Sequence, residues 1–292
     1  MRIGIDIGGS HIGIGLINNG EIIEKVEKEI IKKETEKSII EYIDSIITEM
    51  IQNNKNIDMV GIATPGYIQG FCMKNLVNLG IEELDFSKLI NKHKNLKFNI
   101  KNDSKMAAIA EKKYGAIKDY NNAVFLCLGT GIGSGVFLDG NMLQTNNNIG
   151  FELGHMIIEK DGNLCNCGKR GCFETYCSMK RFKENIKNIL GIKNISSMEL
   201  LERIKNENEN PKIKKAIEDY IDYLLIGLSN IIDIFVPEAI CLGGSFVYFK
   251  DIFYEKLQTE MQKRKYVFYK NNIPEIVLAK LGNDAGMIGV VS

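Results

Sequence analysis

His155, Cys165, Cys167 and Cys172 form the clearest chemical pattern in the chain. The first two thiols are one residue apart, the third follows five residues after Cys167, and the histidine lies ten residues upstream. One nitrogen and three thiolates make a closed tetrahedral set of the kind that holds structural zinc. Gly168 and Gly171, between the thiols, permit the tight turns of such a knuckle. The plainer alternative is three unrelated buried cysteines. A catalytic metal is not expected, because protein fills all four positions.

Three glycine-rich turns follow apolar runs: Gly8-Gly9-Ser10, Gly129-Thr130-Gly131 and Gly243-Gly244-Ser245. In such turns backbone N–H groups can converge on phosphate oxygens, since no side chain blocks the approach. A single one is commonly only a turn. Two in matching positions, with a third between strand and helix, carry more weight. None fits the Walker loop or the dinucleotide fingerprint, because the first two continue as strands.

The candidate acids and bases are more ambiguous alone. Asp103 stands between a strand and a helix, where Asp often serves only as an N-cap. Asp6 interrupts an apolar strand beside a glycine turn. A carboxylate buried there is costly unless a cation is near, which points to Mg²⁺ organisation. Glu152 and His155 lie three apart beside the knuckle, and Glu174 follows it by two. Polar groups around one rigid staple suit a binding pocket, although exposed carboxylates are usually just solvated. Cys72, Cys127, Cys177 and Cys241 carry no pattern, and the strand runs around Cys127 and Cys241 place those two in the core.

The elements that must hold these residues read from the hydrophobic spacing. Residues 2–7 and 12–17 are short apolar runs; Asn18-Asn19-Gly20 then predicts a hairpin into Glu21. Ile39, Ile40, Ile43, Ile46, Ile47, Met50 and Ile51 make one apolar stripe of a helix over 35–53. Strands near 57–63 and 96–100 lead to Thr64-Pro65-Gly66 and to Asn102-Asp103, followed by a helix over 104–114. The opening pattern then returns: a run at 124–128, a glycine turn, a run at 132–138 and an Asp139-Gly140 hairpin. We read this as an internal duplication. A long helix over 212–235, strands at 239–242 and 275–279, and a final helix over 283–291 close the chain. The boundary falls near 115–121, giving an α/β domain over 1–118 and a larger one over 119–279.

Bulk properties limit the alternatives. The 292 residues suit two domains, and 37 basic residues balance 37 acidic ones. That balance offers no clustered positive field for nucleic acid or an anionic membrane. No run approaches the ~20 apolar residues of a membrane span, and no secretory signal is expected. Seven cysteines, three of them crowded into 165–172, suit a reducing, cytoplasmic setting better than a disulfide framework.

Taken together, Asp6-Ile-Gly-Gly-Ser10, Asn102-Asp103, Leu128-Gly-Thr-Gly-Ile-Gly133, Glu152-Leu-Gly-His155, Cys165-Asn-Cys-Gly-Lys-Arg-Gly-Cys-Phe-Glu174 and Leu242-Gly-Gly244 resemble the ROK family of repressors, open reading frames and kinases. The likeness runs from residue 3 to Leu281-Gly-Asn-Asp-Ala-Gly286. It implies the actin-like ATPase (ribonuclease H-like) fold, two α/β domains with mixed sheets around a cleft, with residues 280–292 returning to the first domain. It also implies an ATP-dependent sugar kinase that uses Mg²⁺ and carries a structural zinc ion. Asp103 would be the base for a sugar hydroxyl attacking the γ-phosphate. Gly66, Asn75, Asn102, Glu152, His155 and Glu174 would bind the sugar, His155 serving zinc and sugar through its two nitrogens. Asp6, Gly8, Gly9, Ser10, Gly129, Thr130 and Gly131 would hold Mg²⁺ and phosphates, with Gly243 and Gly244 near the adenosine.

Some positions depart from the usual pattern. Ser10-His11 stands where Thr-Lys is common, Ser104-Lys105 where small residues or Asn follow the catalytic pair, and Ser134 where Gly is frequent. Glucose is the default substrate, ahead of N-acetylglucosamine or N-acetylmannosamine and then fructose or allose, and the resemblance implies a dimer or tetramer. The rivals are a sugar-responsive repressor, which would carry a DNA-binding segment ahead of the first glycine turn, and a silent sugar-binding protein, which would have lost Asp103 or a phosphate glycine.

Overall fold

The computed structural model describes residues 1–8, 11–30, 35–76, 80–145, 150–267 and 273–292. Gly9 and Ser10 lie outside the described residues, as does the side chain of Asn75. The chain divides into two compact units, one made of residues 1–119, 144–150 and 280–292, the other of 120–143 and 151–279.

The first unit opens with strands β1 (Arg2–Ile7), β2 (His11–Asn18) and β3 (Glu21–Glu29). Asn19 and Gly20 both have positive φ, 49° and 86°, as the tight hairpin between β2 and β3 requires. Helix α1 (Glu36–Asn53) starts with a capping box in which Thr35 Oγ1 accepts from the Ser38 amide at 3.2 Å and Ser38 Oγ accepts from the Thr35 amide at 3.0 Å. Ile39, Ile43, Ile47 and Met50 bury its inner face, whereas Ile40, Ile46 and Ile51 pack there only partly. Then come β4 (Met59–Thr64), β5 (Tyr67–Gln69), β6 (Cys72–Leu76), β7 (Ile81–Asp85), α2 (Ser87–Lys92), β8 (Lys97–Asn102) and α3 (Asp103–Lys113). The main sheet has the order β3-β2-β1-β4-β8, while β5, β6 and β7 form a small antiparallel sheet.

The second unit repeats the main sheet. Its strands β9 (Ala123–Leu128), β10 (Ile132–Leu138), β11 (Asn141–Met142), β12 (Ala239–Gly243) and β13 (Glu275–Leu278) lie in the order β11-β10-β9-β12-β13. In both sheets the first two pairings are antiparallel and the last two parallel. Asp139 and Gly140 repeat the positive-φ hairpin turn. The duplication read from the two glycine-containing hairpins is therefore a duplication of whole sheets. Helices α4 (Glu174–Cys177), α5 (Met179–Leu190), α6 (Ser197–Asn206), α7 (Pro211–Phe235) and α8 (Lys250–Lys263) belong to this unit. Asn210 caps α7 and Pro211 opens it, positions that suit both residues. Its buried Ile213, Ile221, Leu224, Leu228 and Ile231 join the core with Val124, Leu126 and Leu128 of β9.

The chain ends in the first unit with a 3-10 turn, Gly282–Asp284, and α9 (Ala285–Gly289), shorter than the helix expected over 283–291. The end of the chain lies directly on the sheet. A Cβ at Gly4 would stand 2.2 Å from the Met287 carbonyl oxygen, and one at Gly61 2.7 Å from that of Val290. Among the described residues no helix is long and apolar enough to cross a membrane.

Candidate functional site

In the first unit the candidate residues gather at the ends of parallel strands. At the end of β8, Asn102 has extended backbone, and its side-chain oxygen accepts from the Lys105 amide at 3.2 Å. The capping role thus falls to Asn102, and Asp103 is the first residue of α3. The Asp103 carboxylate accepts from its neighbour, Ser104, through the amide at 2.7 Å and the hydroxyl at 3.2 Å. Asn102 Nδ2 donates to the Gly66 carbonyl at 3.2 Å, which joins two of the expected sugar contacts.

Asp6 follows the same logic on β1. Burial pushes its carboxyl up to about 8, and the nearby carboxylates of Asp103 and Asp284 add to the effect while Lys25 opposes it. Lys25 bridges Asp284 at 2.6 Å. A carboxylate enclosed among others and held above its usual range is a group that a divalent cation would relieve. At the adjoining turn the Gly8 amide donates to the His11 carbonyl at 2.9 Å.

In the second unit the Gly129 amide donates to the Gly131 carbonyl at 3.0 Å, and Thr130 is exposed at the tip. Gly244 has φ of 68°, and a Cβ there would lie 2.6 Å from the Leu128 carbonyl. No other residue type can bring the chain so close at that backbone angle. The second and third glycine turns are therefore packed together, as Gly243 pairing with Cys127 already requires. Cys127 itself is only half-buried, against the core position expected from its strand.

The ligand atoms of His155, Cys165, Cys167 and Cys172 all lie within 4.8 Å of one another. Cys167 Sγ and Cys172 Sγ are 3.6 Å apart, and Cys165 Sγ is 3.7 Å from His155 Nδ1. Tetrahedral zinc with bonds of about 2.3 Å to sulfur separates its ligands by about 3.8 Å, so the four residues fit that ion. The 3.6 Å gap is far too long for a disulfide. Burial pushes the thiols of Cys165 and Cys172 up, and a bound cation would reverse that by holding thiolates.

The knuckle is rigid for local reasons. Gly168 and Gly171 have φ of 86° and 77°, and a Cβ at Gly171 would meet the Glu159 carbonyl at 1.7 Å. Cys165 N donates to Lys169 O at 2.8 Å, and Gly171 N to Asn163 O at 2.9 Å. Phe173, fully buried, anchors the knuckle against Gly227 of α7.

Two carboxylates flank this cluster. Glu174 Oε1 stands 3.6 Å from His155 Nδ1, and its Oε2 accepts from the Ile132 amide at 3.4 Å. A Cβ at Gly131 would come within 2.6 Å of Glu174 Oε2, so the phosphate-type turn and the knuckle meet at this side chain. Glu152 precedes the 3-10 turn Leu153–His155 and is exposed. His155 turns Nδ1 towards the thiols, which leaves Nε2 as its other polar atom.

Two polar residues organise these segments; sequence reasoning passed over Glu111 and noted Ser134 only as a departure from the usual pattern. Glu111 on α3 is fully buried and gathers three backbone amides. Ser134 on β10 is fully buried and bonds the backbone around Glu152. A charged residue in Glu-Lys-Lys reads as solvated, and only long-range contacts show otherwise.

Comparison with known proteins agrees with the geometry. A xylose repressor of Bacillus spizizenii is 29% identical over 303 residues, covering 99% of this chain and 76% of the relative. A glucokinase of Thermotoga maritima is 27% identical over 310 residues, covering 99% and 96%. The crystal structure of a ROK family glucokinase from Streptomyces griseus, in complex with glucose and AMPPNP, superimposes with a TM-score of 0.82 at 21% identity, covering 99% of this chain and 97% of that one. The likeness establishes the actin-like ATPase fold. The ROK family profile matches residues 2–292, and with that match along nearly its whole length the chain belongs to the ROK family.

Proposed function

We propose that this chain is an ATP-dependent hexose kinase, with glucose as its first substrate. The observation that carries the reading is the β8–α3 junction, where Asn102 caps the helix and Asp103 opens it. A carboxylate at the carboxyl end of parallel strands, not consumed as the cap, suits a base for a bound hydroxyl. The Thermotoga glucokinase and the glucose-bound Streptomyces structure support glucose. N-acetylhexosamines, fructose and allose are the alternatives.

In this reading the sugar hydroxyl lies against Asp103 and gives up its proton to that carboxylate as its oxygen bonds the γ-phosphorus, while the bond from that phosphorus to the β,γ-bridging oxygen breaks and ADP leaves. Phosphoryl transfer depends chiefly on alignment and charge stabilisation, so Asp103 acts mainly by orienting the nucleophile. Gly66, Asn102, Glu152, His155 and Glu174 would hydrogen-bond the ring hydroxyls. The turns at Gly8 and at Gly129-Thr130-Gly131 would border the phosphates, and Gly243 and Gly244 the adenosine. Asp6 would hold Mg²⁺, which supplies charge neutralisation at the polyphosphate. The four knuckle residues would hold zinc, whose role is to fix the orientation of His155.

The similarity to a xylose repressor favours a second reading, a sugar-responsive regulator without turnover. Release of ADP from ATP and Mg²⁺, measured against glucose, fructose, mannose, allose, N-acetylglucosamine and N-acetylmannosamine, separates the two. Turnover with one sugar supports the kinase and names its substrate. Sugar binding with no ADP release from a folded, zinc-loaded sample supports the regulator.

A further inference from the structure

Glu152 and His155 share a five-residue segment, 151–155, that lies against β10. A Cβ at Gly154 would stand 2.2 Å from the Ile132 carbonyl oxygen, so the backbones of the two segments touch. At one end of the segment His155 belongs to the metal cluster. At the other end the Ser134 hydroxyl bonds the backbone. Ser134 Oγ donates to the Phe151 carbonyl at 2.6 Å and accepts from the Leu153 amide at 3.2 Å. These two bonds fall on either side of Glu152. Phe151 has φ of 53°, a left-handed conformation that an aromatic residue keeps only where its surroundings hold it. Ser134 is fully buried, so no solvent competes for its bonds.

We propose that Ser134 is a positioning residue for the acceptor sugar. Its hydroxyl fixes the backbone before and after Glu152, and so sets where that carboxylate presents itself to the ring hydroxyls. The inference rests on the kinase reading for the identity of the ligand, but the placement of Glu152 rests on the hydrogen bonds alone. The consequence is selective. Loss of the hydroxyl weakens the sugar side of the reaction and leaves the nucleotide side and the metal cluster as they were.

The test compares Ser134→Ala with the parent protein, with Ser134→Cys as a second variant that keeps a weak donor and acceptor. Zinc content, thermal midpoint, and the KM for the preferred sugar and for ATP are measured on each. The expected result for Ser134→Ala is a sugar KM raised about ten-fold with ATP KM changed less than about two-fold. Zinc content is expected to stay the same, and Ser134→Cys to fall between. Amide exchange at Leu153 should also quicken in Ser134→Ala. An unchanged sugar KM in folded, zinc-loaded variants overturns the proposal. Parallel rises in both KM values, the mark of a merely structural role, also overturn it. If the parent phosphorylates none of the sugars, the kinase reading fails, and calorimetric Kd values for sugar on the same variants decide the placement of Glu152. A parent that neither phosphorylates nor binds any of the sugars ends both.

Discussion

Glu111 accepts the backbone amide of Leu281 at 2.7 Å, across 170 residues of sequence. The same oxygen takes the Lys280 amide at 2.8 Å, and the other oxygen takes that of Ala116 at 2.7 Å. Glu111 stands on α3, the helix that begins at Asp103, and is fully buried. Gly115 leaves the room this needs, since a Cβ there would fall 2.0 Å from Glu111 Oε2. A buried carboxylate is tolerable because charge-assisted bonds replace its hydration.

Glu111→Ala should therefore destabilise the protein by about 3 kcal/mol or more, because three amides lose their acceptor. Glu111→Gln keeps one carbonyl oxygen but turns an NH₂ towards a donor, and should cost less than Ala yet remain clearly destabilising. Urea unfolding measures both. Losses under about 0.5 kcal/mol in each would contradict the role of Glu111 as the tie between α3 and residues 280–281.

The raised carboxyl of Asp6, at about 8, makes stability depend on pH. In the unfolded chain an Asp titrates at ~3.9. The folded state therefore holds the Asp6 proton more tightly. Between those two values the unfolded state loses its proton first, so stability declines as pH rises. Asp6→Asn cannot ionise and removes that decline. Without divalent ions, its thermal midpoint should match the parent near pH 4 and exceed it increasingly towards pH 8. Millimolar Mg²⁺ should narrow the gap by favouring the ionised parent. A difference that stays flat across this range would contradict the account of Asp6.

Removal of the metal should be felt at the sugar. Cys167→Ser takes one ligand from the cluster of four. It should lose zinc and raise sugar KM, with ATP KM little altered. Metal analysis and steady-state kinetics on one preparation measure both. A metal-free variant with normal sugar affinity would reduce the knuckle to a stabilising device.

Much of this was legible in the sequence where the signal is local. Asn19-Gly20 and Asp139-Gly140 announced hairpins because only such residues accept the positive φ that both turns show. The isoleucine spacing of α1 gave the face on which Ile39, Ile43, Ile47 and Met50 are buried. The cysteine spacing pointed to four residues that do converge. What stayed hidden depends on distant partners. Strands β5, β6 and β7 are only three to five residues long, too short for a periodic signal. Glu111 and Ser134 look like an exposed charge and a small strand residue until residues 280–281 and 151–153 arrive beside them. Asp103 alone was consistent with a mere cap, and the Asn102 bond to the Lys105 amide shows which residue caps.

ADP release with the preferred sugar, followed side by side for the parent and Asp103→Asn, tests the central claim most directly. The account predicts steady turnover in the parent and a loss of about a hundred-fold or more in Asp103→Asn, with sugar Kd nearly unchanged. Equal turnover in the two proteins would contradict Asp103 as the base, and no turnover in the parent with any hexose would contradict the kinase itself.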